Sequence, residues 1–208
     1  MPDETTVRLE PGEVALFGYG SLLLRESVER SLGQPYEKPF VDCELVGWRR
    51  TWDIAMPNRT IVAEHEGQRF TPARILYLNV RREPGTRLNG VLFVVSHAEL
   101  AIFDKREWIY TRQNVTRELR GVILESGTAY MYVGTPNYHW DGTGSARDVA
   151  VRRSYLALID EALRRRPPEF AAAYEASTQT VPAHLIVDDL QATLPWTTTL
   201  ITNQQPPR

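Results

Sequence analysis

Two short stretches carry residues whose types and spacing suit chemistry on a small anionic molecule. In the first, an apolar run from Val14 ends in Gly18-Tyr19-Gly20-Ser21. The run is typical of a buried strand, and its glycines permit a tight turn. With Ser21 near the N-cap of a following amphipathic helix, the turn amides would face one pocket, which suits a carboxylate or phosphate. The lysine of nucleotide-binding loops is missing, so the stretch is an anion site or a plain strand-to-helix turn.

The second stretch is a predicted helix that places a carboxylate on its buried face. Ser96 and Glu99 form a capping box, so the helix is predicted to begin directly after Ser96. Leu100, Phe103 and Glu107 follow at i, i+3 and i+7, and therefore share one face. Burial and the negative end of the helix would raise the pKa of Glu107, which is the condition for a general base near neutral pH.

Two alternatives stand beside this assignment of Glu107. The helix could fray after Arg106, which would leave Glu107 in solvent or paired with Arg112. Asp104, one turn earlier, is the second candidate acid. Arg106 itself is expected to face outward.

The elements that must position these residues are many short strands with a few helices between them. Strands are predicted at residues 40–52, 74–80, 90–95, 110–116, 121–124 and 128–133, with a turn at 83–85. Further helices are predicted at 146–166 and 169–176. This order indicates an α+β domain with a bent, mostly antiparallel or mixed sheet rather than a regular βαβ series.

Composition narrows the class of protein. The 208 residues are 42% hydrophobic and 24% charged with a net charge of -2, which fits one compact domain and argues against a nucleic-acid surface. The acidic start and the short apolar runs are unlike a signal peptide or a membrane span. A lone Cys43 favours a reducing, cytoplasmic location. The four histidines lie far apart, so neither a metal nor a cofactor is expected.

Together the stretches resemble the gamma-glutamylcyclotransferase superfamily, which includes the AIG2-like and ChaC-like proteins. The residues that carry the resemblance are 17–22 (Phe-Gly-Tyr-Gly-Ser-Leu), 47–50 (Gly-Trp-Arg-Arg), 89–91 (Asn-Gly-Val), 104–107 (Asp-Lys-Arg-Glu) and 153–156 (Arg-Ser-Tyr-Leu). Trp108-Ile109-Tyr110 follow Glu107, where ChaC-type proteins have glycine-rich residues. The chain is therefore identified as a divergent bacterial-type member, and glutathione specificity is not supported.

The resemblance implies a fold and a site. The fold would be a small mixed β-barrel flanked by helices over residues 14–177, after an N-terminal extension at 1–13 and before a C-terminal arm or tail at 178–208. The residues implied to hold the α-carboxylate of a γ-glutamyl group through their backbone are Tyr19, Gly20, Ser21 and Leu22. Glu107 would be the acid/base. Further pocket candidates are Arg49, Tyr110 and Tyr155.

Three functions remain open on the sequence alone. The first is an enzyme that cyclises a γ-glutamyl amine, amino acid or peptide to 5-oxoproline and a free amine. The second is a non-catalytic protein that binds a small carboxylate, which a solvent-facing Glu107 would favour. The third is an interaction scaffold that uses Trp48, Trp52 and the C-terminal tail, and it predicts an exposed aromatic patch and no pocket.

Overall fold

A computed structural model describes residues 5–190 of the chain. The strands are β1 (Thr5–Val7), β2 (Glu13–Gly18), β3 (Phe40–Pro57), β4 (Ala63–His65), β5 (Gln68–Phe70), β6 (Arg74–Ser96), β7 (Tyr110–Asn114), β8 (Leu119–Arg120), β9 (Val122–Leu124), β10 (Ala129–Gly134), β11 (Val149–Arg152) and β12 (Ile186–Asp189). The helices are α1 (Arg25–Leu32), α2 (His97–Arg106), α3 (Arg153–Arg164) and α4 (Pro168–Ala176).

The centre of the fold is one long antiparallel pair, β3 with β6, which runs from Phe40 opposite Phe93 to Pro57 opposite Arg74. The predicted turn at 83–85 is wrong, since β6 continues through it. The pairing instead jumps across that segment, from Val46 opposite Arg87 to Trp48 opposite Arg82. Pro84 and Gly85 therefore interrupt the register of β6 without ending the strand, because β3 pairs with β6 on both sides of the interruption.

A mixed sheet grows outward from this pair. On one side of β6, β2 pairs antiparallel, β10 pairs parallel with β2, and β7 follows antiparallel. At the other end of the same edge of β6, β11 pairs parallel with Arg74 and Ile75 and leads through β12 and β4 to β5, since β3 occupies the opposite edge at both ends. The predicted α+β class with a mixed sheet and flanking helices is confirmed. Apolar residues of β2 and of the second half of β6 are almost fully buried and form much of the core.

The start predicted for α2 is confirmed, whereas the start predicted for α3 is wrong. In α2 both hydrogen bonds of the predicted capping box are present, between Ser96 and Glu99. The predicted helix over 146–166 is wrong in its first third, because residues 149–152 form β11 and α3 begins at Arg153. A short apolar run such as Val149-Ala150-Val151 fits a buried strand as well as a helix, and here β6 and β12 flank it.

Two strands lie outside the range predicted for the domain. β1 falls in the predicted N-terminal extension and pairs parallel with β9. β12 falls in the predicted C-terminal arm, whose residues beyond 190 lie outside the described part, as do residues 1–4 of the extension. The boundaries at residues 14 and 177 stay predictions. No helix among residues 5–190 is long and apolar enough to cross a membrane.

Candidate active site

The glycine turn follows β2 directly and depends on close approach. A Cβ at Gly18 would lie 2.8 Å from Leu22 Cβ, and a Cβ at Gly90 would lie 2.6 Å from Gly18 O. The chain then enters a 3-10 turn at Ser21, whose first hydrogen bond runs from Leu23 N to Gly20 O (2.9 Å). The amides of Ser21 and Leu22 precede that bond and are not used inside the turn.

The sequence predicted that Ser21 lies near the N-cap of the first helix, and this prediction is wrong. α1 begins at Arg25 and its N-cap is Leu24. The 3-10 turn at Ser21–Leu23 separates the helix from the glycines, because Leu22 and Leu23 are both drawn into the core.

Glu107 is the C-cap residue of α2, and its side chain is 15% exposed. Leu100 and Phe103, which share its predicted face, are buried. Burial raises the pKa of Glu107, and the positive charge of Arg106 opposes that shift. The net rise follows because desolvation of the carboxylate outweighs its attraction to Arg106.

Arg106 does not face outward, contrary to the expectation from sequence. Its side chain is buried, with Nε 3.2 Å from Glu107 Oε1. Its Nη2 donates to Ser21 Oγ (2.7 Å), and its Nη1 donates to Ser31 Oγ (3.0 Å) on α1. Burial lowers the pKa of Arg106 to about 10, so the guanidinium stays charged at neutral pH. One side chain thus connects the carboxylate of Glu107 with the glycine turn.

Tyrosines surround this pair of residues. Tyr155 Oη lies 3.0 Å from the position that a Cβ would occupy at Gly20. Tyr110 Oη donates to Leu78 O (2.8 Å), and Tyr19 Oη donates to Tyr132 O (2.9 Å).

Burial raises the pKa of Tyr19, Tyr110 and Tyr155, and the nearby charge of Glu107 raises each further. These phenols therefore stay protonated and can act as hydrogen-bond donors. Of the predicted pocket residues, the structure brings Tyr110 and Tyr155 close to the turn and to Glu107.

Arg49 is placed differently. Its side chain is 40% exposed and pairs with Glu83 (3.4 Å). Its neighbour Arg50 points to the opposite face of β3, is fully buried, and donates from Nε to Tyr19 O (2.8 Å). Sequence reasoning missed Arg50, although its side chain shares a face with Trp48 and Trp52 by the alternation of a strand.

Tyr77 was also missed. Its ring packs edge-on against Tyr155 with 5.1 Å between centroids. Burial raises the pKa of its hydroxyl, and the charge of Glu107 adds a small further rise. The sequence placed Tyr77 on a strand but contained no local pattern that pointed it at the site.

Asp104, the second candidate acid, lies in other contacts. Its Oδ1 accepts from Tyr132 Oη (2.8 Å) and pairs with Arg112 Nε (3.0 Å), and the side chain is 39% exposed. Arg112 thus pairs with Asp104. The alternative in which Arg112 pairs with Glu107 is wrong.

Comparisons with known proteins agree on the fold. No protein-family model matches the sequence, and no curated protein matches it. Among solved structures, a gamma-glutamyl cyclotransferase matches with a TM-score of 0.51 at 15% identity, over 82% of this chain and 91% of that one. A yeast gamma-glutamyl cyclotransferase specific to glutathione matches with a TM-score of 0.51 at 13% identity, over 80% and 96%.

A third solved structure, YkqA from Bacillus subtilis, matches with a TM-score of 0.55 at 15% identity. That match covers 79% of this chain and 54% of YkqA, so the chain corresponds to about half of the longer protein. The chain therefore has the gamma-glutamyl cyclotransferase fold, as the sequence resemblance predicted.

Proposed function

We propose that this protein is a gamma-glutamylcyclotransferase-like enzyme, which converts a γ-glutamyl amine, amino acid or peptide to 5-oxoproline and the free amine. The observation that carries the proposal is the position of Glu107. Its largely buried carboxylate is joined through Arg106 to Ser21 of the glycine turn, at 3.2 Å and 2.7 Å. Two proteins that share the fold are named as gamma-glutamyl cyclotransferases, which supports the reaction class.

The turn would bind the substrate by its α-carboxylate. The backbone of residues 19–22 supplies amides, and those of Ser21 and Leu22 are not used within the 3-10 turn. Arg106 contacts both Ser21 and Glu107, so Glu107 lies one guanidinium group away from the turn. The γ-carbonyl of a substrate held at the turn would therefore lie toward Glu107 and the tyrosines.

The chemistry is an intramolecular acyl transfer. The α-amine, as free base, attacks the γ-carbonyl, so a ring C–N bond forms and the amide C–N bond to the leaving amine breaks. Glu107 takes one proton from the α-ammonium and returns it to the departing amine. The second proton that the ring nitrogen loses when the lactam forms passes to the released amine, which leaves as an ammonium, so the reaction balances without a cofactor. Holding the substrate folded toward a five-membered ring lowers the activation barrier by several kcal/mol. In well-oriented systems the reduction is on the order of 7 kcal/mol or more.

The tetrahedral intermediate needs a donor for its oxyanion. We assign this role to the Tyr155 hydroxyl, which lies beside Gly20 and stays protonated because burial raises its pKa. Tyr110 is less suitable since its hydroxyl already donates to Leu78 O.

The other two functions fit the structure less well. A carboxylate-binding sensor does not require a buried glutamate beside the turn, whereas a proton carrier does. An interaction scaffold was expected to expose Trp48 and Trp52, and both are buried. Free, buried Cys43 is consistent with the proposed cytoplasmic location.

The test is release of 5-oxoproline, measured by mass spectrometry, from a panel of γ-glutamyl amines, γ-glutamyl amino acids and glutathione. Glu107→Gln keeps the shape of the side chain but cannot carry the proton, so release is expected to fall by at least about 100-fold. Asp104→Asn on the same helix is the matched control and is expected to retain activity. Release that persists in Glu107→Gln, or no release from any substrate by folded wild-type protein, would refute the proposal.

A further inference from the structure

Arg50 is a buried cation directly behind the glycine turn. It is fully buried in the centre of β3, and burial lowers its pKa to about 10, so it stays charged at neutral pH. Its Nε donates to Tyr19 O (2.8 Å), Nη1 donates to Ser177 Oγ (2.9 Å), and Nη2 donates to Asn89 O. The guanidinium also lies over the Tyr174 ring, 3.7 Å from its centroid.

The acceptors of these hydrogen bonds are neutral oxygens, which satisfy the donors but do not cancel the charge. Removing a charged side chain from water is costly, and replacing such a group by apolar residues is often neutral or stabilising. A buried arginine is therefore a weak contribution to stability, and its position at the turn points to another role.

The bond to Tyr19 O fixes one particular peptide. Tyr19 O and Gly20 N–H belong to the same planar, trans peptide unit, so they point in opposite directions. When Arg50 holds the oxygen from behind, it aims the Gly20 N–H away from the core of β3. A charged donor on the oxygen also polarises the peptide, which strengthens the N–H as a donor.

Residues that the fold brings from two other elements, β6 and α4, hold Arg50 in place. Asn89 on β6 accepts from Arg50 and donates from Nδ2 to Phe170 O on α4 (2.7 Å). The next residue, Gly90, leaves the room that Phe17 and Gly18 require. Ser177, at the end of α4, accepts two hydrogen bonds from Arg50. Its Oγ accepts from the Arg50 side chain, and its backbone O accepts from the backbone N–H of Arg50 (2.9 Å).

We propose that Arg50 is a positioning residue, which orients the Tyr19–Gly20 peptide and adds a positive potential behind the seat of the substrate α-carboxylate. This inference rests on the proposed function. It does not make Arg50 a catalytic residue, since it reaches the substrate only through the turn. The expected signature is selective: substrates with an α-carboxylate depend on Arg50, and substrates without one do not.

The experiment compares two substrates with the same leaving amine. A γ-glutamyl amide has the α-carboxylate and yields 5-oxoproline. The corresponding 4-aminobutyryl amide lacks it and yields 2-pyrrolidinone by the same ring closure and loss of amine. Because the carboxylate contact is made both in the ground state and in the transition state, its loss should appear in KM rather than in kcat.

In Arg50→Lys, kcat/KM for the γ-glutamyl amide is expected to fall about tenfold through KM, with the value for the 4-aminobutyryl amide within about twofold of wild type. Arg87→Lys is the control, since Arg87 lies on β6 with a side chain that is 66% exposed and paired with Glu44. An equal loss on both substrates, or no loss on either, would overturn the inference. A selective loss in Arg49→Lys and not in Arg50→Lys would overturn it as well.

A second variant guards against misfolding of Arg50→Lys. Ser177→Ala removes one acceptor of Arg50 and is expected to give a smaller loss with the same selectivity. Unchanged selectivity in folded Ser177→Ala and Arg50→Lys would refute the role of Arg50.

Binding separates this inference from the proposed function. Should wild-type protein turn over no substrate, the proposed enzyme fails, and affinity for 5-oxoproline becomes the readout. A weaker affinity in Arg50→Lys, with Arg87→Lys unchanged, would keep the inference. Equal affinity in all three proteins, or no binding to wild type, would end it.

Discussion

The carboxylate of Glu107 and the guanidinium of Arg106 form a largely buried ion pair, with 3.2 Å between Oε1 and Nε. The two residues are neighbours in sequence, and successive side chains of a helix normally diverge by about 100°. They meet because α2 ends at Arg106 and Glu107 is its C-cap, with φ -92° and ψ 33°. The end of the helix therefore creates the contact that joins the candidate base to the glycine turn.

The raised pKa of Glu107 has a consequence for stability. With the folded pKa above the ordinary value of 4.5, the folded state binds more protons than the unfolded state, so stability falls as pH rises through that window. Glu107→Gln removes this titration. The free energy of unfolding of Glu107→Gln minus that of wild type should therefore increase from pH 4.5 upward, as measured by urea denaturation. A difference that decreases with pH would mean that the folded pKa is lowered instead.

Arg106 should set the pH at which activity is lost on the acid side. Its charge lowers the pKa of Glu107, in opposition to burial. Arg106→Gln removes the charge, so the acid limb of kcat/KM should move to higher pH. Arg106→Lys keeps the charge and is expected to leave the limb near that of wild type, even though both variants lose hydrogen bonds to the α1 serines. If kcat/KM is lost at the same acidic pH in wild type and in both variants, Arg106 does not have this role.

Gly20→Ala should weaken binding at the turn. The added methyl group would lie 3.0 Å from Tyr155 Oη, which is tighter than ordinary contact. Relief of this clash would shift the turn or Tyr155 away from the position that binds the ligand, and a shift that costs about 1 kcal/mol of binding free energy lowers the affinity about fivefold. The measurement is affinity for 5-oxoproline by calorimetry.

The same substitution in a Tyr155→Phe background provides the control. Without the hydroxyl the contact is relieved, so Gly20→Ala should cost less there, and the two changes should be non-additive. Additive losses would place the effect of the methyl group elsewhere.

Local patterns predicted the parts of the site that depend on local chemistry. The capping box fixed the start of α2, and the spacing from Leu100 to Glu107 placed the carboxylate, because helical periodicity is a property of neighbouring residues. The glycines marked the turn after β2 for the same reason.

The errors arose where partners are distant in sequence. The sequence predicts an outward-facing Arg106 and does not single out Arg50, because a buried arginine is recognisable only once its acceptors are known. Those acceptors, Ser21 and Asn89, lie 85 and 39 residues away. The sequence predicts helix for the residues of β11, since its apolar run is explained only by the strands on either side. The fold class was predictable, whereas these contacts required the whole topology.

The ion pair between Arg152 and Asp189 should make the predicted C-terminal arm necessary for stability. Asp189 is 2% exposed and accepts from Arg152 Nη2 (2.8 Å) and from Ser154 N (3.0 Å). Asp189→Asn leaves the buried guanidinium without its counter-charge, which typically costs about 3 kcal/mol or more. The exposed neighbour Asp188, paired with Arg153, is the matched control, and Asp188→Asn should cost at most about 0.5 kcal/mol.

The cost of Asp189→Asn should also depend on pH. Burial raises the pKa of Asp189, but hydrogen bonds from Ser154 and the charge of Arg152 outweigh that effect, so the net pKa is lowered. The stabilisation is therefore complete above the ordinary value of 3.8 and is lost as pH falls through the folded pKa. Urea denaturation at pH 7 and at acidic pH should show the gap between Asp189→Asn and wild type closing on acidification. A gap equal to that of Asp188→Asn at pH 7 would show that the arm does not stabilise the fold through this pair.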